Sequence, residues 1–269
     1  MNRKLFGLFL ITTSLVACTS NPLTGKKQMT LLPESELQHM AGNEYRSFLT
    51  KSKIVAPVQN KDAQLVKRVG DRVVDAVKKF YGQKGISDQL KGYSWEVNLV
   101  EDKTVNAWCM PGGKIVVYTG LLSITQNEAA LAVVMGHEVS HALLQHGNQR
   151  MSQGMLQQLG GIAIAVAVAD KPKETQDIFL NAYGIGSQVG VMLPFSRKHE
   201  LEADQYGLIF AAMAGYDPQE SIPLWERMEK ASAGNKPVEF MSTHPSEGRR
   251  IEQLKKYMPE ALKYYQNSK

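Results

Sequence analysis

The residues whose types and spacing can support chemistry begin with the segment His137-Glu138-Val139-Ser140-His141. Residues four positions apart in a helix lie on nearly the same face, so the imidazoles of His137 and His141 can bind one cation. Glu138 is displaced around the helix axis, where its carboxylate can take a proton from water without becoming a ligand. Zinc suits these donors and lowers the pKa of a bound water to about 7. The segment therefore predicts one zinc ion per chain and hydrolytic chemistry, with Glu138 as the catalytic base.

A third zinc ligand is expected in an acidic segment about sixty residues downstream, Glu200-Leu201-Glu202-Ala203-Asp204. Glu200 and Asp204 share a helix face, so one carboxylate can bind zinc while the other orients a histidine ligand. The small Ala203 would let two helices approach closely. Charged clusters usually do no more than solvate a helix surface, but the upstream histidine pair favours metal binding.

The elements that must position these residues are mostly helical. The helix with the histidine pair is predicted to open with a capping box, Thr125-x-x-Glu128. Alternation from Tyr93 to Val100 and a β-branched run from Lys114 to Tyr118 predict a small mixed or antiparallel sheet. The apolar stretch from Gly160 to Ala169 is too short to span a bilayer and is predicted to be a buried helix. The predicted fold class is mainly α with a small β-sheet (α+β).

Four motifs, taken in order, resemble those of the gluzincin metallopeptidases that include CAAX prenyl endopeptidases and HtpX-type heat-shock peptidases. The bacterial outer-membrane lipoprotein branch of that family is especially similar. The resemblance covers residues from about 60 to 256, and its motifs are Asn106-Ala107 followed by Pro111-Gly112-Gly113, His137-Glu138-x-x-His141, Glu200-x-x-Ala203-Asp204, and His244-Pro245 with Arg250 beyond. It implies a zincin-like gluzincin domain.

The resemblance also implies roles for single residues. Glu200 is expected to be the third zinc ligand, and Asp204 is expected to support a histidine ligand from behind. Asn106 and Ala107 are expected on an edge strand that pairs with an extended substrate. Arg250 is expected to contact the substrate.

His244 has three candidate roles. As a catalytic residue it would donate a hydrogen bond to the tetrahedral oxyanion, which is the broader expectation for this architecture. Alternatively it would fill the open zinc position when substrate is absent, or it would be a structural loop residue.

The N-terminal residues are typical of a lipoprotein signal. Arg3 and Lys4 precede an apolar run and a small-residue region, and Leu15-Val16-Ala17-Cys18 resembles a lipobox, in which the cysteine is acylated. We therefore predict a lipoprotein signal peptide at residues 1–17, a lipidated tether at 18–32 and a zinc metallopeptidase domain at 33–269. The predicted location is the cell envelope, as an outer-membrane lipoprotein that faces the periplasm.

Composition narrows the choice of partners. A formal net charge of +5 in 269 residues, without basic runs, is too weak to suggest nucleic acid. The expected partners are polypeptide substrates, the membrane through acyl chains on Cys18, and the outer-membrane protein assembly machinery.

These features together predict a zinc-dependent endopeptidase of the bacterial cell envelope that hydrolyses peptide bonds in unfolded or misassembled envelope proteins, as protein quality control. The alternative is a zinc-stabilised chaperone or assembly factor for outer-membrane proteins with little proteolysis. Glu138 favours the enzyme, because a structural zinc site is closed by four protein ligands and needs no carboxylate beside its first histidine.

Overall fold

A computed structural model of the chain describes residues 18–187, 193–233, 237–244 and 250–268. Within them lie six short strands: β1 (Cys18–Ser20), β2 (Lys27–Met29), β3 (Ile54–Val55), β4 (Glu96–Val100), β5 (Ala107–Met110) and β6 (Lys114–Tyr118). The α-helices there are α1 (Glu34–Lys51), α2 (Lys61–Gln83), α3 (Thr119–Thr125), α4 (Glu128–Leu143), α5 (His146–Ala167), α6 (Lys173–Ser187), α7 (Leu193–Met213), α8 (Ser221–Ala231), α9 (Glu239–Thr243) and α10 (Arg250–Gln266). The predicted fold class, mainly α with a small sheet, is confirmed.

The described residues divide into two compact units, one made of residues 18–33, 145–187 and 193–196 and the other of residues 34–144 together with the described residues from 197 onward. In the first unit, β1 and β2 form an antiparallel pair within the region predicted to be a tether. The main chain that follows is hydrogen-bonded to α5, because the Leu31 amide donates to Ser152 at 2.8 Å and Asn148 donates to the Leu32 carbonyl at 2.8 Å. The division into signal peptide, tether and domain stays a prediction.

Helix α5 differs from its predicted environment. Ile162 and Val166 are 60% and 73% exposed, so the prediction of a buried helix from Gly160 to Ala169 is wrong. Within this unit α5 packs against α6, where a side chain at Gly160 would collide with the Tyr183 hydroxyl. One face of α5 is thereby covered and another is left exposed. Among the described residues, the helices lack the combined length and apolar character that crossing a bilayer requires.

The second unit contains a four-stranded mixed sheet with the strand order β3-β4-β6-β5. Strands β4 and β6 are parallel, with Val97 opposite Ile115, whereas β3 and β5 pair antiparallel to their neighbours. Strand β5 is therefore an edge strand of this sheet. Ala107 is its first residue, and Asn106 immediately precedes it.

The core of the second unit lies between the sheet and helices α2 and α4. Helix α2 begins after Asn60, whose side chain accepts a hydrogen bond from the Ala63 amide at 2.9 Å. Its buried valines recur at helical spacing and form an apolar face. A Cβ at Gly70 would lie 2.7 Å from the methyl groups of Val97. The missing side chain at Gly70 therefore allows α2 to lie close to β4.

Helix α4, which carries the histidine pair, is buried from Ala130 to Leu143. It begins at Glu128, and the Asn127 side chain caps it by accepting a hydrogen bond from the Ala130 amide at 2.8 Å. Thr125 is instead the last residue of α3. The predicted capping box is therefore wrong, because the residue that caps this helix is Asn127, two positions after Thr125.

Candidate metal centre

Two helices bring the predicted zinc residues together. Helix α4 carries His137 and His141, and α7 carries Glu200 and Asp204. All four side chains are buried.

The two helix backbones touch at a pair of glycines. A Cβ at Gly136 would lie 2.6 Å from the Gly207 carbonyl oxygen, and a Cβ at Gly207 would lie 2.8 Å from the His137 amide nitrogen. Ala203 is fully buried, but the closest approach is made by these glycines, which the sequence interpretation did not identify. The spacing of Gly207, seven residues after Glu200 and thus on the same helix face, could have indicated it.

Four donor atoms converge between these helices. The Nε2 atoms of His137 and His141 are 3.0 Å apart, and they lie 3.2 and 3.4 Å from the Glu200 carboxylate oxygens. The Nδ1 atom of His244 lies 3.3 Å from His137 Nε2 and 3.2 Å from Glu200 Oε2. Zinc bonds of about 2.0–2.1 Å to tetrahedral ligands place those ligands roughly 3.4 Å apart. The donor set therefore fits a zinc ion.

The charges of the buried cluster also fit a divalent cation. Glu138, Glu200 and Asp204 contribute three negative charges and Arg250 one positive charge, and each residue is at most 4% exposed. With neutral imidazoles the formal charge is thus −2. Unbalanced charge in a dry interior is costly, and Zn²⁺ would neutralise it. The donor set and its charge therefore support the prediction that this protein uses zinc.

Asp204 determines which nitrogen of His137 faces the other donors. His137 Nδ1 lies 2.9 Å from Asp204 Oδ1, so the Nδ1–H donates to the carboxylate and Nε2 is directed at the metal position. Burial alone lowers the pKa of His137, but hydrogen bonds to Asp204 and Glu200 outweigh burial and raise that pKa to about 9. A metal ion bound at Nε2 would take the place of that second proton.

The carboxylates are held in their ionised forms. Burial raises the pKa of Asp204, but the charge of Arg250 and the hydrogen bond from His137 outweigh it and lower that pKa. Burial also raises the pKa of Glu200, yet hydrogen bonds from three histidines hold it well below its ordinary value. Both groups are therefore anionic at neutral pH.

His244 follows α9 and faces the Glu138 carboxylate as well as the other donors. Its Nε2 lies 3.4 Å from Glu138 Oε1, and its ring stacks on Phe240 with centroids 4.6 Å apart. Pro245, which belongs to the same predicted motif, lies outside the described residues.

Arg250 makes buried contacts with this cluster, and Asn106 is hydrogen-bonded to a residue of α9. Arg250 donates to both carboxylate oxygens of Asp204, and its guanidinium lies over the Trp225 ring at 3.5 Å. Asn106 donates to Glu239 of α9 at 3.3 Å. Trp225 was not a predicted site residue, and no local sequence pattern indicates it. Cys18 is the first residue of β1, and its acylation stays a prediction.

A histidine pair on one helix, a glutamate on a second and a carboxylate beside the first histidine define a zinc metallopeptidase of the zincin class. The chain belongs to peptidase family M48, whose sequence pattern matches residues 62–258. The predicted gluzincin family and a hydrolase dependent on zinc are thereby confirmed.

Curated relatives agree with this assignment. The mitochondrial metalloendopeptidase OMA1 of Saccharomyces cerevisiae is 31% identical over 80% of this chain and 61% of its own length. Metalloendopeptidase OMA1, mitochondrial, of Homo sapiens is 30% identical over 96% of this chain and 49% of its own length. The beta-barrel assembly-enhancing protease of Escherichia coli is 29% identical over 55% of this chain and 31% of its own length. The chain thus spans between about a third and three fifths of these relatives.

The predicted localisation is wrong. We expected an outer-membrane lipoprotein facing the periplasm, but six relatives at 30% to 38% identity are named as mitochondrial proteins. Positive residues followed by an apolar run occur in several kinds of targeting segment. Such a pattern therefore does not select one compartment.

Proposed function

We propose that this chain is an endopeptidase that cleaves unfolded or misassembled polypeptides, with His137, His141 and Glu200 as its zinc ligands. The observation that carries the proposal is the convergence of these three donors beside the buried carboxylate of Glu138. Zinc held there would polarise the scissile carbonyl and activate water.

The residues of the chain have separate tasks in this reaction. Glu138 takes the proton from the attacking water and then delivers it to the leaving amine. Asp204 keeps the His137 ring oriented through the Nδ1 hydrogen bond. Neither task requires the side chain to bind the metal.

His244 is proposed to be the fourth donor of the resting enzyme. The support is the position of its Nδ1 atom, 3.2–3.3 Å from donor atoms of both His137 and Glu200. A substrate would then have to displace the imidazole before the chemistry begins.

The edge strand supports the proposed preference for unfolded substrates. Strand β5 ends the sheet beside α4, and an extended peptide can add to such an edge through main-chain hydrogen bonds. Asn106 and Ala107 would contribute to that pairing at the start of β5. A folded substrate already uses its main-chain groups internally, so only extended segments can pair. The name of the Escherichia coli relative, a beta-barrel assembly-enhancing protease, also favours misassembled clients.

The test compares wild-type protein with Glu138→Gln, using cleavage of casein and zinc content. We expect Glu138→Gln to abolish cleavage while zinc content and melting temperature change little, because Glu138 is not a ligand. Glu200→Gln, on the adjacent helix, should lose zinc as well as activity. Glu202→Gln is the matched control on α7 and should keep both. Normal cleavage by Glu138→Gln would refute the proposed mechanism.

A zinc-stabilised chaperone is the second candidate, because His244 would close the site with four protein donors. The same variants separate the two functions. If the protein is a chaperone, the wild type and Glu138→Gln should suppress client aggregation equally well. The wild type should then release no peptides from the client. Peptide release that depends on Glu138 identifies the enzyme.

A further inference from the structure

Arg250, at the start of α10, reaches two different parts of the candidate zinc site. Its Nε and Nη2 donate to Oδ2 and Oδ1 of Asp204 at 2.8 and 2.7 Å, which is a forked pairing with both oxygens. Its Nη1 donates to the main-chain carbonyl of His244 at 3.3 Å. Its Nη2 also lies 3.5 Å from Glu200 Oε2 and 3.3 Å from His137 Nδ1. One guanidinium therefore contacts the group of Asp204, His137 and Glu200 on one side and the backbone of His244 on the other.

The forked pairing restricts Asp204 more than a single hydrogen bond would. Oδ1 receives both the Arg250 Nη2–H and the His137 Nδ1–H, the latter at 2.9 Å. A planar guanidinium fixes the plane of a carboxylate that it binds at both oxygens. The direction of the His137 ring therefore depends on Arg250 through Asp204.

Trp225 in turn holds the plane of Arg250. The guanidinium carbon lies 3.5 Å from the centroid of the indole ring, within the range of a cation–π contact. Trp225 is itself 1% exposed and lies near the His137 ring, with centroids 6.1 Å apart. The arginine is thus enclosed between an aromatic face and two groups of the metal site.

We infer that Arg250 is a positioning residue, which aligns His137 through Asp204 and His244 through its carbonyl, in place of the substrate contact predicted from the sequence. The side chain is buried, and its hydrogen bonds go to protein groups. The inference rests on the zinc site of the proposed function. Beyond that function, we expect loss of the forked pairing to lower the affinity for zinc more than the affinity for substrate.

Arg250→Lys tests this inference because lysine keeps the charge but cannot form the fork. We expect zinc affinity, measured by competition with a chromogenic chelator, to fall by about 10- to 100-fold. With saturating zinc, kcat should fall while KM stays within about twofold of wild type. Arg227→Lys is the matched control, since Arg227 also binds a carboxylate and main-chain carbonyls, those of Glu220, Ile124 and Thr125. That control should bind zinc like the wild type.

A raised KM in Arg250→Lys, with zinc affinity equal to that of the wild type, would contradict the inference. It would show that Arg250 contacts the substrate, as the sequence predicted. A double-variant cycle adds a second criterion. Because part of the effect of Arg250 passes through Asp204, the loss of zinc affinity in the double variant Asp204→Asn with Arg250→Lys should be clearly smaller than the product of the two single losses. Independent, multiplied losses would overturn the inference.

Two further measurements keep the test decisive. If Arg250→Lys does not fold, Trp225→Phe retains an aromatic face with a weaker cation–π contact and should lower zinc affinity severalfold. Unchanged affinity in Trp225→Phe would then contradict the positioning role. Failure of the proposed function is distinguishable, because wild-type protein would then bind zinc without cleaving casein, or would not bind it at all.

Discussion

At the scale of single residues, the chemistry depends on which atoms of each side chain face the metal position. His137 presents Nε2 because Asp204 holds Nδ1, whereas His244 presents Nδ1 and turns Nε2 toward Glu138. The Nε2 of His244 therefore lies beside the proposed general base, while its Nδ1 lies among the donors. This arrangement favours a resting fourth donor over a purely oxyanion role.

The substitution His244→Ala separates these roles by the sign of its effect. We expect basal cleavage of a short unstructured peptide to rise, because the metal position is then open without displacement of an imidazole. An oxyanion role predicts instead a fall in kcat of about 10²-fold with little change in KM. Steady-state kinetics on a quenched fluorescent peptide measures both, with the exposed His39→Ala as control. Unchanged turnover would make His244 a structural loop residue.

At the scale of secondary structure, the site exists because α4 and α7 pack without intervening side chains. Gly136 and Gly207 face each other at that crossing, where an added Cβ would meet main-chain atoms of the opposite helix. Main-chain atoms cannot move aside as the end of a flexible side chain can. The distance between the histidine pair and Glu200 is therefore determined by two residues that carry no chemistry.

Gly207→Ala should disrupt the site from a distance. Its methyl group would lie 2.8 Å from the His137 amide nitrogen, so we expect the helices to separate and stability to fall by about 1–3 kcal/mol or more. Zinc affinity should fall at least about tenfold, since the donors no longer converge. Gly154→Ala in α5 is the matched control, because an added Cβ there meets nothing within 4 Å. Chemical denaturation and chelator competition measure both effects, and wild-type values for Gly207→Ala would contradict this account of the helix crossing.

At the scale of the whole molecule, the metal site links elements that are far apart in the chain. Its groups come from α4, α7, the residue after α9 and the start of α10. Buried carboxylates outnumber the buried arginine in this cluster, so the metal ion contributes charge balance as well as chemistry. Zinc should therefore stabilise the fold.

Removal of zinc should lower the melting temperature. Zinc at about 100 times its dissociation constant adds about 2.7 kcal/mol to the folded state. For a chain of this size that corresponds to roughly 5–10 °C, recovered on adding zinc back. Differential scanning calorimetry with and without EDTA measures this change in melting temperature. In Glu200→Gln, EDTA should lower the melting temperature by less than in the wild type. Identical melting temperatures for wild type in both conditions would show that the site does not stabilise the fold.

The sequence by itself determined the features that depend on helical periodicity. Histidines four residues apart and acids four residues apart must share a face wherever the helix lies. A zinc site, Glu138 as the candidate base and the pairing of Glu200 with Asp204 could therefore be predicted from local spacing. The mostly helical class with a small sheet was likewise predictable from the apolar patterns. The cellular compartment was not predictable in this way, because a targeting segment is recognised by cellular machinery and its meaning does not follow from the packing of the fold.

Only the tertiary structure decided which distant residues meet. The contact of Gly136 with Gly207, the approach of His244 to the other donors, and the enclosure of Arg250 by Asp204 and Trp225 join residues between about 25 and 110 positions apart. No local pattern specifies such pairs, because packing of whole helices selects them. The same reason explains the exposed face of α5, since an apolar run shows that a helix can be buried but not what will cover it.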